Sequence, residues 1–400
     1  MTALRVFVPF ALGFFLSYLL RVVNAVIAPD LVREVGLTAA DLGLLTSANF
    51  FAFAAFQLPL GILLDRFGPR RTEAALLLFA ALGAFIFSAA ASAPGLIAGR
   101  ALIGLGTSAC LMAAFKAYVM WFPGKRIPLV NGCQMAAGGL GAITGTVPVA
   151  AALALTDWRG VFVILGVMAL AFAAAIYLVV PRRKIVETAA DSMKDHLAGI
   201  AQVFTSPLFW RIAPMTVASH SMFLGTQTLW SGPWLADVAG LGRDAVAHHL
   251  LMIAVAMVAG FLGMGTIAER LGQFGVRTVQ VAVAGMSLFA CVQLILVAQW
   301  TGAVLPTWML FGFFGTSGML SYAVLSQSFA PELAGRVITG LNVLTFAGAF
   351  AAQWGIGAII NLWPAAADGG YSPEGYQAAF ALMVVLQIAS LVWYAVFRKV

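Results

Sequence analysis

Gly61-Ile62-Leu63-Leu64-Asp65-Arg66-Phe67-Gly68-Pro69-Arg70-Arg71 closes a long apolar run with a tight, charged turn. An outline of it returns later in the chain as Gly265-Thr266-Ile267-Ala268-Glu269-Arg270-Leu271-Gly272. Both read Gly, three residues, an acid, Arg, one residue, Gly. A weaker echo pairs Gly124-Lys125-Arg126 and Asn131 with Gly335-Arg336 and Asn342. Self-similarity at matching places in two halves is the mark of an internal repeat, and it sets the frame for the rest of the chain.

Working outward, the solvent for this chain is lipid. Of its 400 residues 62% are hydrophobic and 9% charged, against roughly 25% charged in an ordinary soluble domain. A helix crosses the hydrocarbon with about 20 apolar residues. Cut at charges, Pro and Gly clusters, the chain gives twelve such spans, at 7–29, 42–63, 74–93, 96–120, 129–154 and 159–180, then 208–230, 247–267, 278–298, 304–327, 338–362 and 377–397. The expected fold class is an all-α membrane protein of two six-helix bundles, 1–180 and 208–400, joined by a polar cytoplasmic linker at 181–207. The first run lacks a small-residue cleavage site and is read as a retained helix.

Charge tests the topology. With a cytoplasmic N-terminus and alternating spans, sixteen of the 22 Lys and Arg fall on the cytoplasmic face. Only Arg33, Arg159 and Arg243 fall outside, and Arg21, Arg100 and Lys116 lie within spans. This is the asymmetry of the positive-inside rule. It accounts for the net charge of +7 without a nucleic-acid partner. Multi-pass insertion in an inner membrane, with both termini cytoplasmic, is the expected setting.

The Gly61-to-Arg71 turn after the second span, its degenerate copy after the eighth and the 6+6 layout resemble the major facilitator superfamily (MFS). Arg100-Ala101-Leu102-Ile103-Gly104-Leu105-Gly106 is similar to the Arg-and-Gly pattern of that family's fourth helix. The fifth helix lacks the family's G-P-x-x-G-G antiporter motif, having Gly138, Gly139, Gly141 and Gly145 with Pro148 trailing. The resemblance implies alternating access by two halves around a mid-membrane site. It also implies gating or coupling roles for Asp65, Arg66, Arg70, Arg71, Arg100, Glu269 and Arg270, with Asp65 reaching toward span eleven and Glu269 toward span five.

Candidate binding residues are the polar side chains within spans. Arg21 lies about 10 Å of helix from the outer end of span one, on a stripe with Ser17, Tyr18 and Asn24. A charge at that depth is costly and faces a cavity or a partner. Organic-anion carriers of the resembled superfamily use a first-helix Arg to hold the anion. Lys116, Gln57 and Gln134 join this set from the first half, with Arg100 expected in a structural or coupling role. The second half offers His220, Gln227, Tyr322, Asn342 and Gln353. Histidine titrates near neutral pH, which makes His220 a candidate carrier of a coupling proton. No Asp or Glu is read well inside any span, which favours an anionic substrate.

These readings converge on a secondary active transporter of a small anionic metabolite, with protons as a candidate coupling ion and a monomer as the expected state. Multidrug or metabolite efflux is the alternative. Copper uptake is a further one, resting on Met215, His220, Met222, His248 and Met252 as soft ligands. No Walker-type phosphate loop and no nucleophile–base set appears, so neither an enzyme nor a cofactor is expected. Cys110, Cys133 and Cys291 carry no metal spacing and are read as buried thiols. Trp230 and Trp234 are read as anchors at the outer membrane edge.

Overall fold

The computed structural model describes residues 2–182, 199, 201–366 and 370–397. Most of the expected linker, 181–207, lies outside the described residues. All regular structure among those described is helical, and ten helices are long and apolar enough to cross a membrane.

By contacts the chain divides into two compact units, one of 1–35 with 48–193 and one of 36–47 with 194–400. In the first unit, α1 (Thr2–Val22) breaks at Val23 and resumes as α2 (Asn24–Val35). The 51-residue α3 (Ala39–Ala89) is too long for one crossing at about 1.5 Å per residue. Gly68 divides it, with φ 75° and ψ 166°. That backbone region is essentially open to glycine alone, and Pro69 then starts the next limb with its φ already set. Gly68→Ala is expected to cost about 1–3 kcal/mol, read as a fall in melting temperature of the purified protein.

Next come α4 (Ala93–Thr107), α5 (Cys110–Trp121), α6 (Ile127–Thr144), the short α7 (Val147–Ala152) and α8 (Trp158–Val179). Helix α1 packs against α5, α6 and α8. The Arg-and-Gly pattern of α4 has a packing reason. A Cβ on Gly104 would lie 2.1 Å from the Asn49 carbonyl oxygen, and one on Gly106 2.2 Å from the Ala80 nitrogen. These two glycines let α4 rest directly on the backbone of both limbs of α3.

At the far end of the same unit, Arg159 gathers three elements. It pairs with Glu34 at 2.7 Å and donates to the carbonyls of Ser88 (2.9 Å) and Ala90 (2.7 Å). The Trp158 indole also donates to Glu34, at 2.6 Å. The indole and then the Arg159 guanidinium hold the Glu34 carboxyl below the usual carboxylate range.

The second unit holds α9 (Pro207–Gly225), a π-helical turn (Thr226–Trp230) and α10 (Ser231–Asp237), which run on without interruption. The expected span at 208–230 is therefore a longer, locally widened helix. Trp230 and Trp234, expected as belt anchors, are buried at 0% and 1% exposure. They sit inside because the helix carries on past them, and Trp234 packs edge-on against Trp308 at 5.4 Å. The remaining helices are α11 (Arg243–Gly272), α12 (Thr278–Val297), α13 (Val304–Gly315), α14 (Met319–Gln327), α15 (Pro331–Ile360) and α16 (Pro373–Val396). Within this unit the start of α3 lies on α15, where a Cβ on Gly357 would be 2.3 Å from the Ala39 carbonyl oxygen.

Two further expectations need correction. Cys110 is buried, but Cys133 and Cys291 are exposed on the helix surfaces. A thiol is apolar enough to face lipid, so an apolar run does not decide which way it points. The reading that no acid lies inside a span fails at Glu73. That residue stands one position before the expected start of span three, yet its side chain is fully buried. The second limb of α3 begins at Pro69, which draws Glu73 into the bundle.

Candidate functional site in each unit

In the first unit the polar stripe of α1 turns inward. The Arg21 side chain is buried, at 7% exposure. Its guanidinium lies 4.9 Å from the centre of the Tyr18 ring and 5.4 Å from that of Phe53 on α3. Aromatic faces stabilise a cation without neutralising it. Ser17 and Asn24 are buried on the same stripe, and Asn49 and Gln57 are buried on α3. The Gln57 amide nitrogen makes no hydrogen bond.

Behind this stripe lies a second polar set. The Tyr118 hydroxyl donates to Gln134 Oε1 at 2.7 Å. The Gln134 amide donates to the carbonyls of Phe10 (3.2 Å) and Cys110 (3.5 Å). Gln134, expected in substrate binding, is thereby tied to α1 and α5. It acts as an internal brace in this arrangement.

Arg100 is fully buried. Its Nη1 donates to the Leu20 carbonyl at 2.7 Å, and its guanidinium lies 5.8 Å from the Phe87 ring centre. It grips α1 just before the break at Val23.

Lys116 is placed differently from its expected role in substrate binding. Its ammonium pairs with Asp65 of the turn and donates to the Leu64 carbonyl at 2.9 Å. A lysine stem spans such a distance easily, so Lys116 serves the cytoplasmic turn. Arg70 donates from Nε to the Tyr177 carbonyl at 2.9 Å and lies over that ring at 4.6 Å. Arg66 lies 5.3 Å from the Phe67 ring. Arg70, Arg71 and Arg182 border a cleft of about 360 Å³ that also takes in Gly68, Met120 and Trp121. Lys116 and Tyr177 thus tie the turn to α5 and α8. In the second unit, Glu269 and Arg270 are exposed at the end of α11.

The second unit has its own polar interior. His220 lies 6.5 Å, edge-on, from the partly exposed Tyr322. The Tyr322 hydroxyl donates to Thr345 at 3.1 Å, and Ser221 donates to the Thr345 carbonyl at 2.9 Å. Gln353 is fully buried and donates to Thr228 (2.9 Å) and the Gly225 carbonyl (3.2 Å), while Trp230 donates to the Gln353 carbonyl at 2.8 Å. These bonds cross onto the π turn, whose wider coil leaves carbonyls to be met by side chains. Gln353 therefore braces α9 against α15. Gln227 is buried on the π turn, and Asn342 is half-buried on α15. The copper candidates do not gather. Met215 belongs to an apolar core cluster, and His248 is exposed at the start of α11.

Glu73 is the residue that sequence reasoning missed. The one signal for it is Gly13 on α1, since a Cβ there would lie 2.3 Å from Glu73 Oε1. Only a residue without a side chain makes room for that carboxyl.

Comparison with known proteins agrees with this architecture. The profile of the Major Facilitator Superfamily matches residues 10–353. The "Probable L-galactonate transporter" of Escherichia coli K12 is 28% identical over 78% of this chain and 74% of its own. The "Probable sulfoacetate transporter SauU" of Cupriavidus necator is 30% identical over 40% of this chain, and the match spans 37% of that protein. Among solved structures, a bacterial homologue of the human lysosomal transporter Spinster superposes with a TM-score of 0.77 at 16% identity, covering 100% of this chain and 97% of that one.

Proposed function

Because the chain belongs to the major facilitator superfamily, we propose that it is a secondary active transporter carrying a small organic anion across the inner membrane by alternating access. Two bundles of six spans each, 1–180 and 208–400, both termini cytoplasmic and protons as the coupling ion complete the reading. The family and the relatives named above are transporters, not enzymes.

The observation that carries the anion is Arg21. Its charge is buried and flanked by two aromatic faces. A fork of guanidinium donors suits a carboxylate or sulfonate better than a point charge does. The substrates in the names of two relatives, L-galactonate and sulfoacetate, are both small organic anions. The test is a melting-temperature screen of purified protein against sugar acids, sulfonates, neutral sugars and lipophilic cations, followed by flux of the hits into proteoliposomes. A folded-state ligand raises the melting temperature. Anions should shift it, and a response confined to neutral sugars would remove the proposal. Export of a lipophilic cation is the second reading, and Glu73 is the observation that favours it. It predicts that such cations, and not anions, compete for transport.

The charged turn offers a separate test. The Asp65–Lys116 pair is partly exposed, with 46% and 28% of the two side chains accessible, so its static contribution is about 1 kcal/mol or less. Loss of this pair in Asp65→Asn should therefore cost about 1 kcal/mol or less. Transport should fall severely if the turn works as a latch during the cycle. Normal flux through the variant would leave the turn only a structural role.

A further inference from the structure

We propose that the cleft of Arg70, Arg71 and Arg182 binds the phosphate of an anionic phospholipid at the membrane boundary. The inference goes beyond the transport reading and stands whatever solute the protein carries.

Three helix ends of the first unit meet at this cleft. The Gly68 turn ends the first limb of α3, α5 stops at Trp121 and α8 stops at Val179. The volume between them, about 360 Å³, falls in the range of small-molecule sites, roughly 300–1,000 Å³. Among the described residues, its lining holds three arginines and no acid.

Arg70 has a structural task. Its Nε and Nη2 donate to the Tyr177 carbonyl in the last turn of α8, and its guanidinium lies over the Tyr177 ring. That bond meets one of the carbonyls a helix end leaves open. Arg71 and Arg182 have no such task. Among the described residues neither takes part in an ion pair or a side-chain hydrogen bond. Both lie within electrostatic range of Arg70. The acid of the turn, Asp65, pairs with Lys116 instead. Like charges gathered at one cleft repel, and a bound anion relieves them. A planar guanidinium fork fits two oxygens of one phosphate.

The surroundings select a lipid over a soluble anion. Beside the cleft Phe67 is 42% exposed, Val119 70% and Leu178 77%. At the ends of membrane-spanning helices such side chains meet acyl chains. Trp121, which lines the cleft, is the kind of amphipathic ring that gathers at headgroup level. Basic pockets between helices on the cytoplasmic side take anionic headgroups, and the proposed topology puts this cleft on that side. A free phosphate would satisfy the arginines alone. A phospholipid satisfies them and covers the apolar rim with its chains.

The test uses the full-length protein in nanodiscs of phosphatidylcholine, replaced stepwise by phosphatidylglycerol with brominated chains. Bromine quenches nearby indoles, and the difference between wild type and Trp121→Phe isolates the signal of Trp121. In wild type that signal should be quenched at a low fraction of phosphatidylglycerol, and brominated phosphatidylcholine should not reproduce this. Arg71→Gln/Arg182→Gln keeps the bond of Arg70 to Tyr177 and so spares the fold. Each basic group near a membrane surface contributes about a fivefold factor, so the double variant should weaken the preference about 30-fold. Lys125→Gln/Arg126→Gln removes two charges from the same face outside the cleft and should weaken it far less. Equal loss in the two double variants would reduce the effect to general surface attraction and overturn the proposal. Quenching indifferent to the headgroup would overturn it too. So would relief of the quenching by inorganic phosphate more than by sodium chloride of equal ionic strength, because the occupant would then be a soluble anion. Should the Arg71 and Arg182 double variant fail to fold, Arg182→Gln alone replaces it. A loss of about fivefold is then expected, and no loss counts against the site.

Discussion

Arg21→Gln abolishes anion transport, with apparent affinity reduced about 30- to 1,000-fold, while the protein still inserts and folds. Truncating a desolvated charge that meets an opposite charge costs about 2–4 kcal/mol, which gives that range. Folding is spared because the guanidinium rests on the rings of Tyr18 and Phe53, and glutamine keeps most of the stem that packs there. Arg21→Lys separates two contributions. It keeps the charge and loses the planar fork, so it should recover part of the affinity and lose discrimination between carboxylates and other anions. The measurement is initial-rate flux in proteoliposomes alongside melting temperature. Equal loss of both would make Arg21 a structural residue.

Arg100→Ala produces the opposite pattern, a loss of stability of about 3–5 kcal/mol. Two effects combine. A large, fully buried side chain is removed, leaving a cavity. The Leu20 carbonyl, bonded at 2.7 Å, loses its buried donor. Relief of the buried charge offsets part of this. Arg100→Met isolates the charge, because it refills most of the volume without a donor. A melting temperature near wild type in Arg100→Met, with transport still lost, would mark Arg100 as a positioning residue that holds α1 at Leu20. Transport that recovers with stability would make it packing alone.

These residues also show what the sequence disclosed and what it withheld. The repeat of the Gly61 and Gly265 turns, the sorting of basic residues and the spacing of Ser17, Tyr18, Arg21 and Asn24 are local patterns. They are written in one dimension, and the fold class followed from them. Glu73 was hidden by one residue of boundary. A span drawn from 74 made it a loop acid, while Pro69 starts the helix earlier. The pairing of Lys116 with Asp65 joins residues 51 apart in sequence, and no spacing rule reports a contact between two helices. Gln134 and Gln353 were legible as polar residues in spans. Their work as braces to Tyr118 and Thr228 depends on rotamers that only packing fixes. Trp230 and Trp234 were misplaced because the π turn and α10 carry the helix past its apolar window.

An anionic solute is the central claim, and the charge of what the protein moves tests it most directly. Saturable flux of radiolabelled galactonate into proteoliposomes should be competed by other small organic anions, left intact by lipophilic cations, and absent from Arg21→Gln vesicles of equal protein content. Flux blocked by lipophilic cations and indifferent to the charge at position 21 would contradict it.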